Sequence, residues 1–291
     1  MRVSVITPSL NQGKYLEETI RSVLSQSYSD IEYIMIDGGS RDNSVEIIRS
    51  YEAKLAYWQT GKDRNSWDAI NQGWGKATGQ IFCYLNADDV FAGNAIQMIV
   101  DAFVRNPDAD VIYGDAKMID AQGNHLHDFP SRDFDLSTVF RTWEDPIRQP
   151  SAFFRAAVYH RYGGMDETYR FCSDFEYWIR IASGVKFLHI PVCLSLVRLH
   201  PETKTSTMED VQAKELIRLC RTTIHTQIFR DSGVTPHEAL GGVHFLASLH
   251  FRNAGRKWEA LRSYLQYCRY SLSPLQAIYR CCRYCASLLL R

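Results

Sequence analysis

The sequence predicts an α/β fold in which a mostly parallel sheet is flanked by helices and followed by a helical C-terminal region. Over residues 3–113, apolar runs with strand character alternate with amphipathic helical segments, which is typical of parallel strands covered on both faces. Polar clusters follow three of these runs, at residues 7–9, 37–40 and 86–89. From about residue 209 onward the apolar spacing is helical, without strand alternation.

The individual elements follow from apolar spacing and from breaks at Gly, Pro, Asn and Asp. The predicted strands are residues 3–7, 31–36, 55–58, 81–85, 111–113, 151–155 and 185–190. The predicted helices are residues 14–26, 42–51, 67–76, 94–105 and 174–183. Residues 123–148 are rich in turn residues and charges and predict a crossover containing loops. Residues 240–274 predict a helical hairpin with Gly255 at its turn.

Length and composition are those of an ordinary folded protein. Of 291 residues, 45% are hydrophobic and 23% are charged, which supplies a sizeable core and excludes a disordered chain. No run approaches the roughly 18 apolar residues of a membrane-spanning helix, and no secretory signal follows Met1. We therefore expect a cytoplasmic protein whose eight cysteines are reduced thiols.

Charge is distributed unevenly along the chain. Residues 1–211 hold 21 Lys and Arg against 29 Asp and Glu, whereas residues 212–291 hold 12 against 4. The acidic body disfavours nucleic acid as a partner, because it repels phosphates. Together with the loss of strand patterning, the shift predicts two domains, residues 1–208 and a basic helical region at residues 209–291.

The last segment, residues 274–291, combines apolar residues at helical spacing with arginines. The apolar positions are Leu275, Ile278, Cys282, Cys285 and Leu289, and the arginines are Arg280, Arg283 and Arg291. A basic amphipathic helix of this kind can lie on an anionic membrane surface. The same stripe can equally pack on the acidic body or mediate dimerisation, and the pattern leaves these alternatives open.

Common phosphate-binding and nucleophile motifs are missing from the sequence. There is no Gly-x-Gly-x-x-Gly after the first strand, no Gly-x-x-x-x-Gly-Lys and no Gly-x-Ser-x-Gly, which argues against dinucleotide-binding, P-loop and α/β-hydrolase folds. The most distinctive feature is the pair Asp88 and Asp89. Two adjacent carboxylates repel each other, and a divalent cation bridging to phosphate would supply the counter-charge. Alternatively, they form an acidic pair at the N-terminus of the next helix.

The segment Asp37-Gly38-Gly39-Ser40 also has two interpretations. Asp37 can accept a hydrogen bond from a nucleobase or ribose, while the glycines allow a ligand to approach closely. Alternatively, it is a tight turn in which Asp37 caps the following helix.

Taken in order, the motifs of the first 200 residues resemble those of the family 2 glycosyltransferases, which have the GT-A fold. The matching segments are VSVITPSLN at residues 3–11, IDGGSRD at 36–42, DAINQG at 68–73, ATG at 77–79, LNADD at 85–89, QPSAFFR at 149–155, GGMDE at 163–167 and SDFEYW at 173–178. One departure is Trp67, where the family usually has Tyr, which removes any contact through a phenolic hydroxyl. Residues beyond 210 lie outside the resemblance.

The resemblance implies an inverting enzyme that transfers a sugar from a nucleotide diphosphate-sugar, with a UDP-sugar as the favoured donor class, to a glycan or lipid-linked saccharide hydroxyl. It implies Mn²⁺ or Mg²⁺ as cofactor, and peripheral contact with the inner face of the membrane would suit a lipid-linked acceptor. The implied nucleotide-binding residues are Thr7, Pro8, Ser9, Asp37, Gly39, Asp68, Asn71 and Asp88. The implied metal ligands are Asp88, Asp89 and His200, and the acceptor-side residues are Gln149 and Trp178.

Within this resemblance, Asp174 is the candidate catalytic base. Inversion requires a base that deprotonates the acceptor hydroxyl on the face opposite the leaving group, and a carboxylate can do this. Without the family context, Asp174 would be interpreted as a helix N-cap, and His200 as a loop residue. The competing function is a non-catalytic module that keeps the fold and only binds nucleotide-sugar or glycan.

Overall fold

The computed structural model describes residues 1–271. These residues form two compact units that alternate along the chain. Unit 1 comprises Met1–Phe134, Pro146–Thr168 and Arg180–His200, and unit 2 comprises Asp135–Asp145, Tyr169–Ile179 and the chain from Pro201 onward. The predicted functional division between residues 208 and 209 stays a prediction.

Unit 1 is built on one mixed sheet with helices packed against it. The strands are β1 (Val3–Ser9), β2 (Ile31–Asp37), β3 (Tyr57–Thr60), β4 (Ile81–Tyr84), β5 (Val90–Phe91), β6 (Val111–Ile119), β7 (His125–Phe129), β8 (Ala152–Arg155) and β9 (Phe187–Arg198). Their order is β3-β2-β1-β4-β8-β6-β9-β5, with β7 paired to β6. Strands β3, β2, β1 and β4 are parallel, and β8 joins them antiparallel to β4. The predicted α/β fold is confirmed.

The helices of unit 1 cover this sheet with apolar faces. They are α1 (Leu16–Leu24), α2 (Ser44–Ser50), α3 (Ser66–Lys76), α4 (Ala95–Arg105) and α6 (Ala156–Tyr162). In α1, Leu16, Ile20 and Val23 recur at helical spacing and are fully buried. Every residue of β1 is buried as well, because β1 lies in the middle of the sheet. Burial of each such aliphatic side chain stabilises the fold by about 1.5–3 kcal/mol.

Strand β9 is longer than the sequence predicts. The predicted strand ends at residue 190, and the next residue, Pro191, lacks the N–H that a central strand needs. In the structure, the pairing of β9 with β6 shifts register between Tyr113 and Asp115, so Pro191 lies where the regular ladder is interrupted. Gly114 allows this close approach, because a Cβ there would lie 2.6 Å from the carbonyl oxygen of Val192.

The predicted crossover at residues 123–148 contains regular structure. Strand β7 pairs antiparallel with β6 through a turn at Gly123, whose φ of +88° favours glycine. Helix α5 (Leu136–Thr142) follows, and Asp135 caps it by accepting a hydrogen bond from the amide of Thr138. Charged and turn residues dominate this segment, so apolar spacing does not predict β7 or α5.

Unit 2 is helical, as the sequence predicts. Besides α5, it contains most of α7 (Ser173–Ile181), and then α8 (Lys204–Thr207), α9 (Glu209–Thr223), α10 (Gln227–Asp231), α11 (Pro236–Asn253) and α12 (Lys257–Ser271). Helices α11 and α12 form the predicted hairpin, with Gly255 in the turn at φ +72°. The small residues Ala213, Ala247 and Ala260 pack against Phe251 and let the helices approach closely. Among the described residues, no helix combines the length and apolarity needed to cross a bilayer.

The amphipathic helix predicted at residues 274–291 lies outside the described residues.

Candidate functional site

The carboxyl ends of β1, β2 and β4 bring three polar segments to one edge of the sheet in unit 1. Because these strands are parallel and adjacent, their C-terminal turns project in the same direction. Ser9 and Asp37 are paired in register at the ends of β1 and β2, and the turn of residues 86–89 follows β4. This is the edge at which open α/β sheets bind ligands.

The side chains of β1 differ in whether they are already hydrogen-bonded. The hydroxyl of Thr7 lies 3.1 Å from that of Tyr33 inside unit 1. Pro8 is buried and pairs with Ile36 of β2. The Oγ atom of Ser9 is also buried, yet it has no hydrogen-bond partner within residues 1–271. A buried hydroxyl without a partner costs free energy, so Ser9 is the residue of this strand best placed to bind a ligand.

Asp37 organises the turn that follows β2. Its Oδ2 accepts hydrogen bonds from the amides of Gly39 and Ser40 and from the hydroxyl of Thr60, while its Oδ1 accepts from the Ser40 hydroxyl. Gly39 has a φ of +87°, which this turn requires. Helix α2 is preceded by Asn43, so Asp37 shapes the turn and does not cap the helix.

Two predicted nucleotide-binding residues on α3 also make contacts within unit 1. Asp68 accepts hydrogen bonds from the amide and the guanidinium of Arg64, which hold the pKa of its carboxyl below the usual range. Asn71 donates to the carbonyl of Met165 and the carboxylate of Glu167, and it accepts from the amide of Met165. Its amide therefore anchors the loop that precedes residue 168.

The two aspartates in the turn between β4 and β5 differ in burial and in hydrogen-bond partners. Asp89 is 3% exposed, and its two oxygens accept hydrogen bonds from the amide of Arg198 and the side-chain amide of Asn86. Burial and the neighbouring Asp88 raise the pKa of Asp89. Thr19 of α1 further secures the turn by donating to the carbonyls of Ala87 and Asp89.

Asp88 instead faces His200. Its Oδ2 lies 3.1 Å from the Nε2 of His200, and its side chain is 18% exposed. His200 is buried against the ring of Tyr15, at a centroid distance of 4.7 Å. Helix α4 begins after Asn94, so the aspartates do not form an acidic pair at its N-terminus.

Of the three predicted metal ligands, the structure brings the side chains of Asp88 and His200 into contact. Their Oδ2 and Nε2 atoms lie 3.1 Å apart, at hydrogen-bond distance, and a carboxylate and an imidazole are both side chains that would hold a divalent cation. Asp89 is directed toward Arg198 and Asn86 instead. Within the described chain, no three His, Cys, Asp or Glu side chains surround a common metal position.

Arg198 secures this turn from β9. Its side chain is 1% exposed, and it donates to the backbone oxygens of Asp88 and Asp120 and to the carboxylate of Glu18. Its guanidinium also lies over the ring of Tyr15, 5.0 Å from the centroid. The buried guanidinium thus serves internal acceptors.

The two predicted acceptor-side residues are both buried, one in each unit. Gln149 of unit 1 is 9% exposed and donates to the carbonyl of Tyr84, at the end of β4. Trp178 of unit 2 is 1% exposed and packs edge-on against Tyr177. A buried indole presents no face on which a sugar can stack, so the position of Trp178 gives its predicted role no support.

Asp174 lies in the first turn of α7, in unit 2. It is half-buried, and its Oδ1 accepts a hydrogen bond from the amide of Phe175. Desolvation raises the pKa of Asp174 to about 6, and Glu215 contributes to the increase, whereas Lys204 opposes it. A carboxyl group in such an environment is suited to accepting a proton near neutral pH.

Comparisons with known proteins identify the family. The model of glycosyl transferase family 2 matches residues 4–162, which is more than half of the chain. The chain belongs to glycosyl transferase family 2. It is 32% identical over 182 residues to an uncharacterized glycosyltransferase of Mycobacterium tuberculosis, covering 62% of this chain and 68% of the relative. It is 29% identical over 188 residues to one of Rickettsia conorii, covering 62% and 31%.

The solved structures that resemble this family 2 glycosyltransferase share its fold at low sequence identity. Staphylococcus aureus TarS, residues 1–349 in complex with UDP-GlcNAc, is 15% identical with a TM-score of 0.64, covering 93% of this chain and 81% of that one. The mannosyltransferase PcManGT from Pyrobaculum calidifontis, in complex with GDP-Man and Mn²⁺, is 20% identical with a TM-score of 0.62, covering 99% and 80%. The chain spans from about a third to two thirds of the length of the Rickettsia relatives.

Sequence reasoning about this glycosyltransferase missed three residues that shape the candidate site. Asn86 and Thr19 hold the β4–β5 turn, and Glu215 of α9 binds the segment before α7. Asn86 is adjacent to the aspartates and could have been found as a short polar side chain in a turn. Thr19 and Glu215 act across 68 and 44 residues of chain, for which local spacing carries no information.

Proposed function

We propose that the protein is an inverting, metal-dependent glycosyltransferase that uses a nucleotide diphosphate-sugar, with UDP-sugars as the donor class. The observation that carries this proposal is the Asp88–His200 pair beside the carboxyl ends of β1 and β2. The pair would supply two ligands for a cation at the sheet edge where ligands bind in this fold class. Family membership supports sugar transfer, and the TarS and PcManGT complexes support a nucleotide-sugar donor.

We assign the cation to Asp88 and His200, and we give Asp89 the role of holding the turn. Imidazole nitrogen is a better ligand for Mn²⁺ than for Mg²⁺, which prefers oxygen, so Mn²⁺ is the favoured ion. When bound, the cation offsets the negative charge that develops on the departing diphosphate. Asp89 holds the turn because its two oxygens accept hydrogen bonds from Arg198 and Asn86.

The nucleotide is assigned to the ends of β1 and β2. Ser9 offers a hydroxyl without an internal partner, and the turn at Gly39 presents backbone atoms close to the end of β1. Asp37 is fully buried and its oxygens accept four internal hydrogen bonds, so it supports this surface by fixing the turn. We expect Thr7, Asp68 and Asn71 to act by supporting this surface, because their polar groups bind residues of unit 1.

Asp174 is assigned as the general base. Its carboxylate accepts the proton of the acceptor hydroxyl as the oxygen attacks the anomeric carbon. The bond between the anomeric carbon and the diphosphate oxygen breaks, and its electron pair leaves with the diphosphate. Attack from the face opposite the leaving group inverts the anomeric configuration. Within residues 1–271, the Oδ2 of Asp174 accepts no hydrogen bond, so this atom is available for the proton.

We further propose that the acceptor is a saccharide at the inner face of a membrane and that α12 contacts an anionic bilayer. Trp258, Arg262, Leu265 and Arg269 recur at spacings of four, three and four and therefore share one face of the helix. Trp258 is 81% exposed and Leu265 is 48% exposed, which is unusual for large apolar side chains. Exposed Trp and Leu side chains alternating with arginines fit the boundary between lipid headgroups and acyl chains.

The catalytic proposal is tested with a panel of UDP-, GDP- and dTDP-sugars in the presence of Mn²⁺ or EDTA. Released nucleoside diphosphate is measured with water, glycans and polyprenyl-linked saccharides as acceptors, and the product anomer is assigned by NMR. We expect Mn²⁺-dependent release from a UDP-sugar and an inverted product. Tight donor binding without turnover with any acceptor would favour the non-catalytic module. Failure of every nucleotide to bind the folded protein would overturn the proposal.

The membrane proposal is tested by co-sedimentation with phosphatidylglycerol and phosphatidylcholine vesicles. We expect binding to the anionic vesicles alone and a clear loss of binding in Trp258→Ser. The matched control is Val104→Ser, which removes an apolar side chain that is 66% exposed in unit 1. Equal binding by Trp258→Ser and wild type would rule out α12 as the contact.

A further inference from the structure

Glu215 lies on α9 and is buried at 8% exposure in unit 2. Its Oε1 accepts a hydrogen bond of 2.6 Å from the amide of Arg170. Its Oε2 accepts from the amides of Phe171 and Cys172, at 2.9 and 3.0 Å. Three consecutive backbone N–H groups thus converge on one carboxylate immediately before α7. The positive end of a helix stabilises a carboxylate in this position.

The same face of α9 makes two further contacts with this segment. Gln212, three residues before Glu215, accepts a long hydrogen bond from the Cys172 thiol through its carbonyl. Arg218, three residues after Glu215, lies over the ring of Tyr169, 4.3 Å from the centroid. Residues spaced by three lie on neighbouring positions of a helix surface. Helix α9 therefore contacts residues 169–172 one after another, and Glu215 provides the central contact.

The chain from Cys172 to Asp174 is too short to move independently of this contact. Asp174 follows Cys172 by two residues and lies in the first turn of α7, where the Cys172 carbonyl accepts a hydrogen bond from the amide of Glu176. Cys172 is thus bonded on one side to Glu215 and on the other to the helix that carries Asp174. A change at Glu215 is transmitted directly to the position of the Asp174 carboxylate.

Neutral replacements cannot make this contact equally well. A carboxylate has only acceptor atoms, whereas a glutamine side chain has one acceptor oxygen and one donor NH₂ group. In Glu215→Gln, at least one of the three amides would face a donor or lose its partner. The carboxylate also acts on Asp174 by charge: Glu215 raises the pKa of Asp174, whereas Lys204 of α8 opposes it.

We infer that Glu215 is a positioning residue for the catalytic base, fixing the segment 170–172 so that Asp174 is held in place for proton transfer. This inference rests on the proposed function, in which Asp174 is the base. Positioning errors of the order of 1 Å reduce turnover strongly even when substrate binding is intact. Glu215 therefore affects kcat and the pH dependence of the reaction, with little effect on donor KM.

The test compares Glu215→Gln and Glu215→Asp with Glu209→Gln in the full chain. Glu209 is the matched control, because it is also on α9 but binds His250 and Asn253 instead of the segment before α7. UDP release from UDP-GlcNAc, or from the donor preferred in the panel, is measured from pH 5 to 9. Hydrogen–deuterium exchange is measured for a peptide that covers residues 169–175.

In Glu215→Gln we expect faster exchange in that peptide, a kcat about tenfold lower and an unchanged donor KM. The acid limb of its pH profile should move to lower pH, since a negative charge near Asp174 is lost. Glu215→Asp keeps the charge on a shorter side chain, so it should lower kcat without moving the limb, and it serves as the test if Glu215→Gln does not fold. Glu209→Gln should resemble wild type.

Unchanged exchange in Glu215→Gln, or faster exchange with a normal kcat and pH profile, would overturn the inference. Asp174→Asn distinguishes failure of this inference from failure of the proposed function. If Asp174→Asn is inactive while Glu215→Gln behaves as wild type, only the role of Glu215 is wrong. If Asp174→Asn remains active, Asp174 is not the base and the inference fails together with that assignment.

Discussion

The β4–β5 turn of unit 1 and the segment before α7 in unit 2 are each fixed by a buried carboxylate and lie beside a second carboxylate with fewer partners. Each holds a carboxylate whose two oxygens both accept internal hydrogen bonds, Asp89 in unit 1 and Glu215 in unit 2. The second carboxylate is Asp88 in unit 1 and Asp174 in unit 2. Within residues 1–271, only one oxygen of each has a side-chain or backbone hydrogen-bond partner. In the proposed function, holding the backbone and doing chemistry fall to separate carboxylates, and in both units the carboxylate with two bonded oxygens is also the more buried one.

The largest effect on turnover is expected for replacement of Asp174 in unit 2. Asp174→Asn should lower kcat by about 10³-fold, because the amide cannot accept the acceptor's proton, and should leave donor binding unchanged. Nucleoside diphosphate release and donor titration measure the two quantities. Asp210→Asn, which removes a carboxylate paired with Lys214 in the same unit, should retain wild-type turnover. Activity of Asp174→Asn close to that of wild type would show that Asp174 is not the general base.

The pH dependence of turnover sharpens the same assignment. Desolvation raises the pKa of Asp174 to about 6, so the carboxyl is protonated below that pH and cannot accept another proton. Turnover should fall about tenfold per pH unit below pH 6 and level off above it. The profile is measured as kcat from pH 4.5 to 8, with circular dichroism to show that the protein stays folded. A flat profile across this range would argue against Asp174 as the base.

A carboxylate that holds the backbone should show its effect on stability. Asp37 is fully buried and receives four internal hydrogen bonds, so Asp37→Ala should lower the free energy of unfolding by about 2–3 kcal/mol. Asp88→Ala should lower it by less than about 1 kcal/mol, since Asp88 is partly exposed and has one such partner. Urea unfolding measures both. Equal losses of unfolding free energy in the two variants would contradict the proposed difference between Asp37, which holds the backbone, and Asp88.

The smallest effect is expected at Ser9, whose buried hydroxyl lacks a partner in the described chain. Ser9→Ala should leave the unfolding free energy unchanged or raise it by up to about 1 kcal/mol, because an unsatisfied polar atom is removed. The same variant should bind UDP about three- to tenfold more weakly, because one hydrogen bond to the ligand is lost. A stability loss without any change in UDP affinity would show that the hydroxyl serves the fold.

Much of this arrangement could be predicted from the sequence. Alternating apolar strands and amphipathic helices predict β1, β2 and β4, and their parallel pairing brings the polar turns to one edge. The α11–α12 hairpin follows from helical spacing around Gly255. Strand β9 could not be followed past Pro191, because accommodation of that proline depends on a register shift against β6.

The resemblance implied that Asp88 and Asp89 both bind the metal and that Asp88 also contacts the nucleotide, but residue spacing alone could not distinguish them. The two residues are adjacent in a turn, where neither helical nor strand periodicity assigns a direction to a side chain. Their different roles arise from partners that are distant in the chain, Arg198 for Asp89 and His200 for Asp88. Glu215 was missed for the same reason, since its three amide partners lie more than forty residues away.

The most direct test of the division between the two kinds of carboxylate is calorimetric titration of UDP, with and without Mn²⁺, on Asp88→Asn and Asp89→Asn. These adjacent, nearly isosteric substitutions differ only in which carboxylate becomes an amide. We predict that Asp88→Asn abolishes the gain in UDP affinity produced by Mn²⁺, while Asp89→Asn keeps that gain and lowers the melting temperature. Loss of the gain in a folded Asp89→Asn, with its retention in Asp88→Asn, would contradict the account.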